Sequence, residues 1–409
     1  MDIKNYLMKT ENKYSFSWTL EQIYLLLFGV LIGYHFFLTT MFSIEWPSLI
    51  RFYLNSAIVL VLVLKTSVDD KYNIRELLVV AVLGAAFIIA WRHNGSEEIF
   101  LCMLVIWGAR KIKFEKILKV FFAVIAILLI FTVICSLTGQ VENLIFYQGD
   151  RRARMAFGVC YPTDFSAYVF YLSVVYCYLR KEKLRYLETI GVAALGLLVY
   201  YFCDARMNTI CLLLTALVFS WLIFMRRRQK KKEKEYEMHK GLAFLLALSP
   251  TICAAVMILL SMFYSSQNKI LSMLNSTLNN RIYYSHKGIE LYGIPLLGEY
   301  IPMRGNGGTT EAIKNYFFLD SSYIYILLQF GVLTLVTILI CWCLISFKAV
   351  RYKNWGLLLA VAVVAVQCVV EHHMMAIVYN PFFMAVLADW SAEKSRRRKH
   401  SNEKDMEKA

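Results

Sequence analysis

The chain has 409 residues, of which 59% are hydrophobic and only 18% are charged, and its mean hydropathy is +0.53. A water-soluble protein of this length carries charge on about a quarter of its residues and folds into about two or three domains. The composition therefore excludes soluble enzymes and most classes of DNA-binding protein, and it indicates an integral membrane protein.

Apolar runs of membrane-spanning length recur along the whole chain. A bilayer core requires about 20 apolar residues per helix. Ten runs qualify, and two shorter runs are added because the basic loops alternate between the two sides of the membrane only when both are counted. We therefore predict an all-α, polytopic transmembrane helical bundle of about twelve spans, at 20–40, 48–64, 76–91, 97–109, 117–137, 161–179, 186–203, 207–225, 241–263, 321–346, 354–372 and 374–390.

The basic residues give this bundle an orientation, because Lys and Arg collect in cytoplasmic loops. With the N-terminus inside, the predicted cytoplasmic segments contain 33 of the 44 Lys and Arg residues. The chain then divides into a cytoplasmic N-terminal tail (1–19), a transmembrane domain (20–390) and a basic cytoplasmic C-terminal tail (391–409). We expect a multi-pass protein of the cytoplasmic membrane. The net charge of +15 reflects this topology, and we expect no nucleic-acid partner because no basic stretch is interleaved with aromatic residues.

The segment 264–320, between the ninth and tenth spans, is a long loop on the predicted extracytoplasmic side. Loops longer than about 15 residues are usually functional or disordered, and the aromatic and aliphatic content of this loop favours order. Ile282, His286, Ile289 and Gly293 follow one another at spacings of 4, 3 and 4, which places them on one helical face. We predict a helix here, followed by a turn-rich segment.

Arginine residues on the predicted outer side are candidates for function. A guanidinium group matches the geometry of a phosphate and stays charged in a partly dry site. The alternative is that such side chains extend to lipid headgroups. The candidates are Arg151, Arg152, Arg154, Arg206, Arg281 and Arg304.

Ionisable residues at membrane depth are costly and indicate functional sites. On the outer side they are Asp164, Asp204, Asp320, Glu371, His286, His372 and His373. Structural interpretations remain open for several of them. Asp320 fits an N-cap of the tenth span, His372 and His373 fit an interfacial pair at the end of the eleventh, and Asp164 fits a partner for backbone groups freed by Pro162.

Four short segments follow one another in order between residues 150 and 385. They are Arg154-Met-Ala-Phe-Gly158 followed by Tyr161-Pro-Thr-Asp-Phe165, Asp204-Ala-Arg206, Asn280-Arg281 continuing to Pro295-Leu-Leu-Gly298, and Asp320-Ser-Ser-Tyr323 continuing to Gly331. In this order, around one large outer loop, they resemble motifs of the O-antigen polymerase and ligase superfamily. These proteins are membrane glycosyltransferases that act on polyprenyl-linked glycans.

Two positions depart from the pattern of this superfamily. Its ligases place a His just before an Asn-Ser-Tyr element, and Asp320 occupies that position here. A Gly before the loop arginine is replaced by Asn280. The first departure favours a repeat-unit polymerase over a ligase and argues against a mechanism based on that His.

The resemblance implies a polysaccharide repeat-unit polymerase, which transfers a growing glycan from undecaprenyl diphosphate to the non-reducing end of another lipid-linked repeat unit. Its partners would be the undecaprenyl-diphosphate-linked oligosaccharide, membrane lipid, a flippase and a chain-length regulator. Fixed cations would stabilise the diphosphate leaving group in the transition state. Arg206 ranks first, Arg281 second and the cluster at 151–154 third, and we expect Arg206→Ala and Arg281→Ala each to abolish chain growth.

The second chemical requirement is a general base for the attacking sugar hydroxyl. Asp320, Glu371 and His372 are the candidates, with His286 behind them. Tyr323 belongs to a group of tyrosines that would either stack on sugar rings or form an interfacial belt. No metal or other cofactor is expected, because the outer side has no Asp-x-Asp motif, the long loop has no cysteine, and arginines supply positive charge.

Two other functions remain open from the sequence. A lipid-linked oligosaccharide flippase or another transporter would also have about twelve spans, but it would place its cations in a central cavity and show related halves. An O-antigen-type ligase would attach the finished glycan to a different acceptor.

Overall fold

The computed structural model describes residues 19–44, 48–68, 74–147, 151–230, 237–311 and 313–390. Within these ranges the chain is all-α, as predicted, apart from isolated bridges and one antiparallel pair, β1 (Ile145–Phe146) and β2 (Arg154–Met155). The helices are α1 (Leu20–Phe37), α2 (Ser48–Val68), α3 (Ile74–Asn94), α4 (Glu97–Gly108), α5 (Phe114–Leu137), α6 (Pro162–Arg180), α7 (Tyr186–Cys203), α8 (Arg206–Lys230), α9 (Lys240–Ala247), α10 (Ser249–Met262), α11 (Lys269–Thr277), α12 (Arg281–Tyr292), α13 (Ser322–Gln329), α14 (Gly331–Arg351), α15 (Trp355–Gln367) and a 3₁₀ helix (Phe382–Val386). The N-terminal tail up to residue 18 and the C-terminal tail 391–409 lie outside the described residues.

Six of the described helices are long and apolar enough to cross a membrane, namely α1, most of α3, α5, α7, α8 and α14. The pair α9 and α10 makes a seventh candidate if it is counted as one span, with a bend of 54° between the two helices. Pro250, in the first turn of α10, has no N–H with which to continue the hydrogen bonds of α9. These helices are those of a membrane protein.

The loops that carry most of the basic residues contact one another at one end of the bundle, which we call the basic face. Lys65 Nζ donates to the backbone oxygens of Gly108 and Arg110, each at 2.5 Å. Lys116 and Glu21 form an ion pair of 2.6 Å. Further contacts at this face join Lys181 to Glu115, Arg226 to Leu184 and Lys353 to Glu237.

The opposite end of the bundle, which we call the loop face, is covered by residues 264–320. Gly308 N donates to Cys160 O at 3.0 Å, which ties this long loop to the segment before α6. Asn94 Nδ2 donates to Glu299 O at 3.2 Å and so ties the loop to the end of α3. The loop therefore packs on the bundle as an ordered part of the fold.

The predicted helix in the long loop is confirmed. It is α12, which begins at Arg281 and ends at Tyr292, and turns and irregular segments follow it among the described residues up to 321. Ile282 and Gly288 are buried on its inner side, with the Cβ position of Gly288 close to Leu328 and Leu319.

Five predicted spans differ from the structure. The runs 97–109 and 354–372 form the short helices α4, of 12 residues, and α15, of 13 residues. The runs 241–263 and 321–346 are each divided into two helices, at Leu248 and at Phe330. The helical span predicted at 374–390 is wrong, because these residues form turns and a 3₁₀ helix. Hydropathy reports burial, and burial alone does not make a helix.

The segment 374–390 nevertheless passes from the loop face to the basic face. Near its start Met374 N donates to Ser322 Oγ at 3.1 Å, and near its end Asp389 N donates to Ile112 O at 2.7 Å. Nearly all of its side chains are buried. Backbone that is not helical is tolerated at membrane depth where protein surrounds it, and the surrounding helices supply that environment.

The break between α13 and α14 anchors the irregular part of the long loop. Val332 N donates to Pro295 O at 3.0 Å. Gly331 has a φ of +86°, and a Cβ at this position would lie 2.4 Å from Gly298 N. Only glycine combines this backbone conformation with such a close approach, so two glycines from separate sequence motifs form one contact.

Candidate functional site

A polar cavity of about 380 Å³ lies at the loop face, and we call it the arginine cavity. It lies where the segment before α6 meets the start of α12 and the end of the long loop. Three guanidinium groups and one carboxylate face it, together with amides, hydroxyls and phenols. Its lining residues are Arg151, Arg154, Tyr161, Thr163, Ser276, Asn279, Asn280, Arg281, Tyr284, Asn306, Tyr316 and Asp320.

The start of α12 brings Arg281 to this cavity. Asn279 and Asn280, just before the helix, both have positive φ angles, of 52° and 64°. Asn adopts this left-handed conformation more readily than other residues with a Cβ. Asn280 can therefore stand at a position where Gly is otherwise favoured, and the tight turn leads directly into Arg281.

The guanidinium group of Arg281 is buried and held by acidic partners. Its side chain is only 6% exposed, and its Nη2 lies 3.3 Å from Glu371 Oε1 and its Nε 3.9 Å from Asp320 Oδ2. Nε also donates to Val370 O. Burial would lower the pKa of Arg281, but the two carboxylates raise it above its usual value. The group is therefore a permanent positive charge at the wall of the cavity.

Glu371 stands behind Arg281 and does not line the arginine cavity. Its side chain is 1% exposed, and Oε1 accepts a second hydrogen bond, from Asn208 Nδ2 at 3.1 Å. Asn208 in turn donates to Ser166 Oγ at 2.7 Å. Glu371 thus fixes the position of the Arg281 side chain. Asn208 was not identified from the sequence, where its only signal is its place two residues after Arg206.

Arg151 and Arg154 come to the cavity from the segment around β2. Arg154 is buried, and its Nε donates to Cys203 O at 3.1 Å. Arg151 Nε donates to Asp204 Oδ2 at 2.7 Å. Burial would raise the pKa of Asp204, but the hydrogen bonds and charges of Arg151 and Arg206 hold it below its usual range. Both cavity arginines are thereby fixed to the connection between α7 and α8.

Three other candidate arginines lie outside the arginine cavity. Arg206 is 53% exposed and contacts Asp204 Oδ1 at 3.3 Å through Nε, so it reaches the cavity only through the carboxylate that also holds Arg151. Arg152 is exposed and lies over the ring of Tyr200, 5.0 Å from its centroid. Arg304 is also exposed.

Asp320 is the carboxylate that lines the arginine cavity. Its interpretation as an N-cap is wrong, because α13 begins at Ser322 and its N-cap is Ser321. Tyr316 and Tyr284 line the same cavity, 5.2 Å apart between ring centroids. Burial and the nearby charge of Asp320 raise the pKa of both phenols. The two tyrosines therefore stay protonated and are available as hydrogen-bond donors.

Tyr323 and His286 lie away from the cavity. Tyr323 is fully buried, and its hydroxyl donates to Ala365 O at 2.8 Å. His286 Nδ1 is 2.9 Å from Ser261 O, and its Nε2 is 3.3 Å from Glu290 Oε1. The structure thus places both side chains in packing roles between helices.

A second cavity, of about 370 Å³, lies beside the first, and we call it the histidine cavity. Its lining residues are His35, Leu38, Thr39, Leu101, Asp164, His372, His373, Ala376, Ile377, Val378 and Tyr379. His373 Nε2 lies 3.6 Å from Asp164 Oδ1. His372, a candidate base, therefore lies in a different space from Asp320. Sequence reasoning marked Asp164 and His373 as ionisable at membrane depth but did not place them in a site.

The arginine cavity has the chemistry of an anion site. Its three guanidinium groups outnumber its single carboxylate, and each is held by hydrogen bonds or ion pairs. Fixed guanidinium groups bind phosphate oxygens with good geometry and little reorganisation. Amide and hydroxyl groups in the same wall, from residues that the sequence did not reveal, suit the hydroxyls of a sugar: Thr163, Ser276, Asn279 and Asn306.

Comparison of the chain with protein-family models, with curated proteins and with solved structures finds no match.

Proposed function

We propose that the protein is a membrane glycosyltransferase, a polysaccharide repeat-unit polymerase that transfers a growing glycan from undecaprenyl diphosphate to the non-reducing end of another lipid-linked repeat unit. One observation carries this proposal. Arg151, Arg154 and Arg281, separated by up to 130 positions in the sequence, line one cavity with a single carboxylate, Asp320.

The arginines suit the leaving group of such a transfer. As the bond between the sugar and the diphosphate breaks, negative charge grows on the diphosphate oxygens. Cations that are already fixed in place stabilise this charge more in the transition state than in the ground state. Arg281 supplies one charge, which Glu371 and Asp320 hold in place, and Arg151 and Arg154 supply two more from the segment around β2.

Asp320 is the general base of the proposed reaction. It is the carboxylate that lines the arginine cavity, with a side chain 23% exposed, whereas Glu371 is shielded behind Arg281 and His372 lines the other cavity. Asp320 accepts the proton of the attacking sugar hydroxyl. Glu371 is a positioning residue, which acts through Arg281.

The proposed membrane topology follows from the distribution of charge. The basic face is the cytoplasmic face, because Lys and Arg residues collect there. Both termini are then cytoplasmic, and the loop face with both cavities is at the outer surface of the cytoplasmic membrane. The twelfth crossing is the segment 374–390, which crosses without an α-helix. A flippase that delivers the lipid-linked repeat unit and a chain-length regulator are the partners of such an enzyme.

Deletion of the gene, with analysis of the surface glycan by size, tests the proposal. Loss of a polymerase leaves single repeat units at the surface. Loss of a flippase leaves no glycan outside, and loss of a ligase leaves long chains attached to the lipid carrier. Either of the last two results would refute the polymerase assignment.

Complementation of the deletion tests the cavity itself. Arg281→Ala is expected to leave single repeat units, because the leaving group loses a buried cation that two carboxylates hold in place. Arg304→Ala is the matched control, an exposed arginine of the same loop outside the cavity, and it is expected to restore long chains. Membrane abundance of both variants is measured by immunoblot. Long chains with Arg281→Ala would refute the diphosphate assignment.

A further inference from the structure

A second group of ionisable side chains lies on the other side of Glu371 from the arginine cavity. We call it the histidine cluster: Asp164, Glu371, His372 and His373. We propose that the histidine cluster binds one divalent transition-metal ion of the zinc class. The inference is independent of the proposed glycosyl transfer, because its test measures metal binding alone.

The ligand atoms of the cluster are close enough to converge on one ion. One atom each from Glu371, His372 and His373 lie within 4.8 Å of one another, and Asp164 Oδ1 is 3.6 Å from His373 Nε2. Ligands at about 2.0 to 2.2 Å from a tetrahedral zinc ion are about 3.4 Å apart. The atoms of Glu371, His372 and His373 reach this spacing with side-chain movements of about 1 Å, and Asp164, next to His373, is the nearest further carboxylate that could complete the set.

The imidazole nitrogens of the cluster lack hydrogen-bond partners. His372 Nδ1 and both ring nitrogens of His373 are buried without one among the described residues. Aromatic contacts hold the rings: His373 stacks on Tyr379 with centroids 3.8 Å apart, and His372 meets the ring of Phe318 edge to face at 5.0 Å. Buried polar atoms without partners are costly. A metal ion would satisfy one of these open nitrogens on each ring.

The charge balance of the cluster favours a cation. Asp164 forms no ion pair with a Lys or Arg in the part of the chain that the structure describes, although its side chain is only 22% exposed. Glu371 shares its one guanidinium partner, Arg281, with Asp320. An uncompensated carboxylate at this depth is unfavourable. A divalent ion next to Asp164 would remove that cost.

The surroundings of Glu371 resemble those of a metal-binding carboxylate. Its Oε1 accepts hydrogen bonds from Asn208 at 3.1 Å and from Arg281 at 3.3 Å. Outer hydrogen bonds of this kind orient carboxylates that bind metals. Two imidazoles with one or two carboxylates are a donor set that suits zinc and neighbouring ions. No Asp-x-Asp motif marks this donor set, because Asp164 is far from Glu371, His372 and His373 in the sequence.

Zn²⁺ binding to the purified full-length chain tests the inference. The chain is prepared in detergent with an affinity tag that contains no histidine, stripped with a chelator, incubated with Zn²⁺ alone and passed through gel filtration. We expect the wild-type chain to retain about one ion per chain by elemental analysis, as for a single four-ligand site. Co²⁺ in place of Zn²⁺ should give visible absorption bands that report imidazole and carboxylate coordination.

Single substitutions inside and outside the histidine cluster test where Zn²⁺ binds. His373→Asn and Asp164→Asn are expected to weaken Zn²⁺ binding at least about 100-fold, and Asn208→Ala, which removes an outer hydrogen bond, about tenfold. His286→Asn is the matched control, a half-buried imidazole outside the cluster, and it should bind Zn²⁺ as the wild type does.

Two results would overturn the inference: a wild-type chain that retains no more Zn²⁺ than His373→Asn, or a loss in His286→Asn as large as in His373→Asn. Thermal unfolding distinguishes a variant that has lost the metal site from one that fails to fold. Zn²⁺ should raise the midpoint for the wild type and for His286→Asn, but for neither cluster variant. An equal rise for all variants would likewise contradict the assignment.

Discussion

The two cavities at the loop face are nearly equal in volume, about 380 and 370 Å³, but opposite in charge. The arginine cavity is lined by three arginines and one aspartate. The histidine cavity is lined by one aspartate and three histidines, with apolar side chains such as Leu101 and Ile377 and with no Lys or Arg among its described lining residues. The charge of the arginine cavity suits an anion, and that of the histidine cavity does not.

Consecutive residues create this difference. Thr163 lines the arginine cavity and Asp164 the histidine cavity, at the first turn of α6. Glu371 holds Arg281 at 3.3 Å, whereas His372 lines the second cavity. A thin wall of two short segments therefore separates opposite electrostatic environments. The ionisable side chains at membrane depth are thus divided between the arginine cavity and the histidine cavity and do not form one mixed polar site.

The largest expected effect distinguishes the two acids of the cavities. Asp320→Asn should slow chain growth about 1,000-fold, because an amide cannot take the proton of the attacking hydroxyl. Asp164→Asn should slow it less than about tenfold, because Asp164 lines the other cavity. The measurement is the initial rate of formation of the two-repeat product from purified lipid-linked repeat units.

The sequence predicted the local features of this site better than its assembly. Spacings of 4, 3 and 4 predicted α12, and composition predicted an all-α membrane protein, because helical periodicity and hydropathy are local properties. The pairing of Arg281 with Glu371, 90 positions apart, depends on the contact between the start of α12 and the segment that follows α15. No pattern in one sequence reports such a contact.

Hydropathy also failed where irregular backbone is buried. The segment 374–390 is apolar except for Asn380 and Asp389, and only Asn380 and Pro381 in its middle signal that it does not form a helix. The break before Gly331 depends on the distant Gly298, whose backbone must approach closely. Both features come from long-range packing, which overrides the local preference of an apolar run.

The next effect in size concerns the shape of the Arg281 side chain. Arg281→Lys keeps a positive charge but loses the planar fork that contacts both a carboxylate and a phosphate. We expect chain growth to fall about 100-fold. Arg304→Lys is the matched control and should keep the wild-type rate, and an Arg281→Lys variant as fast as this control would contradict bidentate binding.

The smallest effect is expected for Arg206, which ranked first from the sequence. Its side chain is 53% exposed, and its described contact is Asp204 at 3.3 Å, a carboxylate that Arg151 also holds, at 2.7 Å. Exposed ion pairs contribute little, so Arg206→Ala should slow chain growth less than about threefold. Arg151→Ala, which removes a guanidinium from the cavity wall, should slow it more in the same assay. If Arg206→Ala slowed chain growth as much as Arg281→Lys does, Arg206 would contact the substrate directly. The substrate site would then extend beyond the arginine cavity, past Asp204 to Arg206.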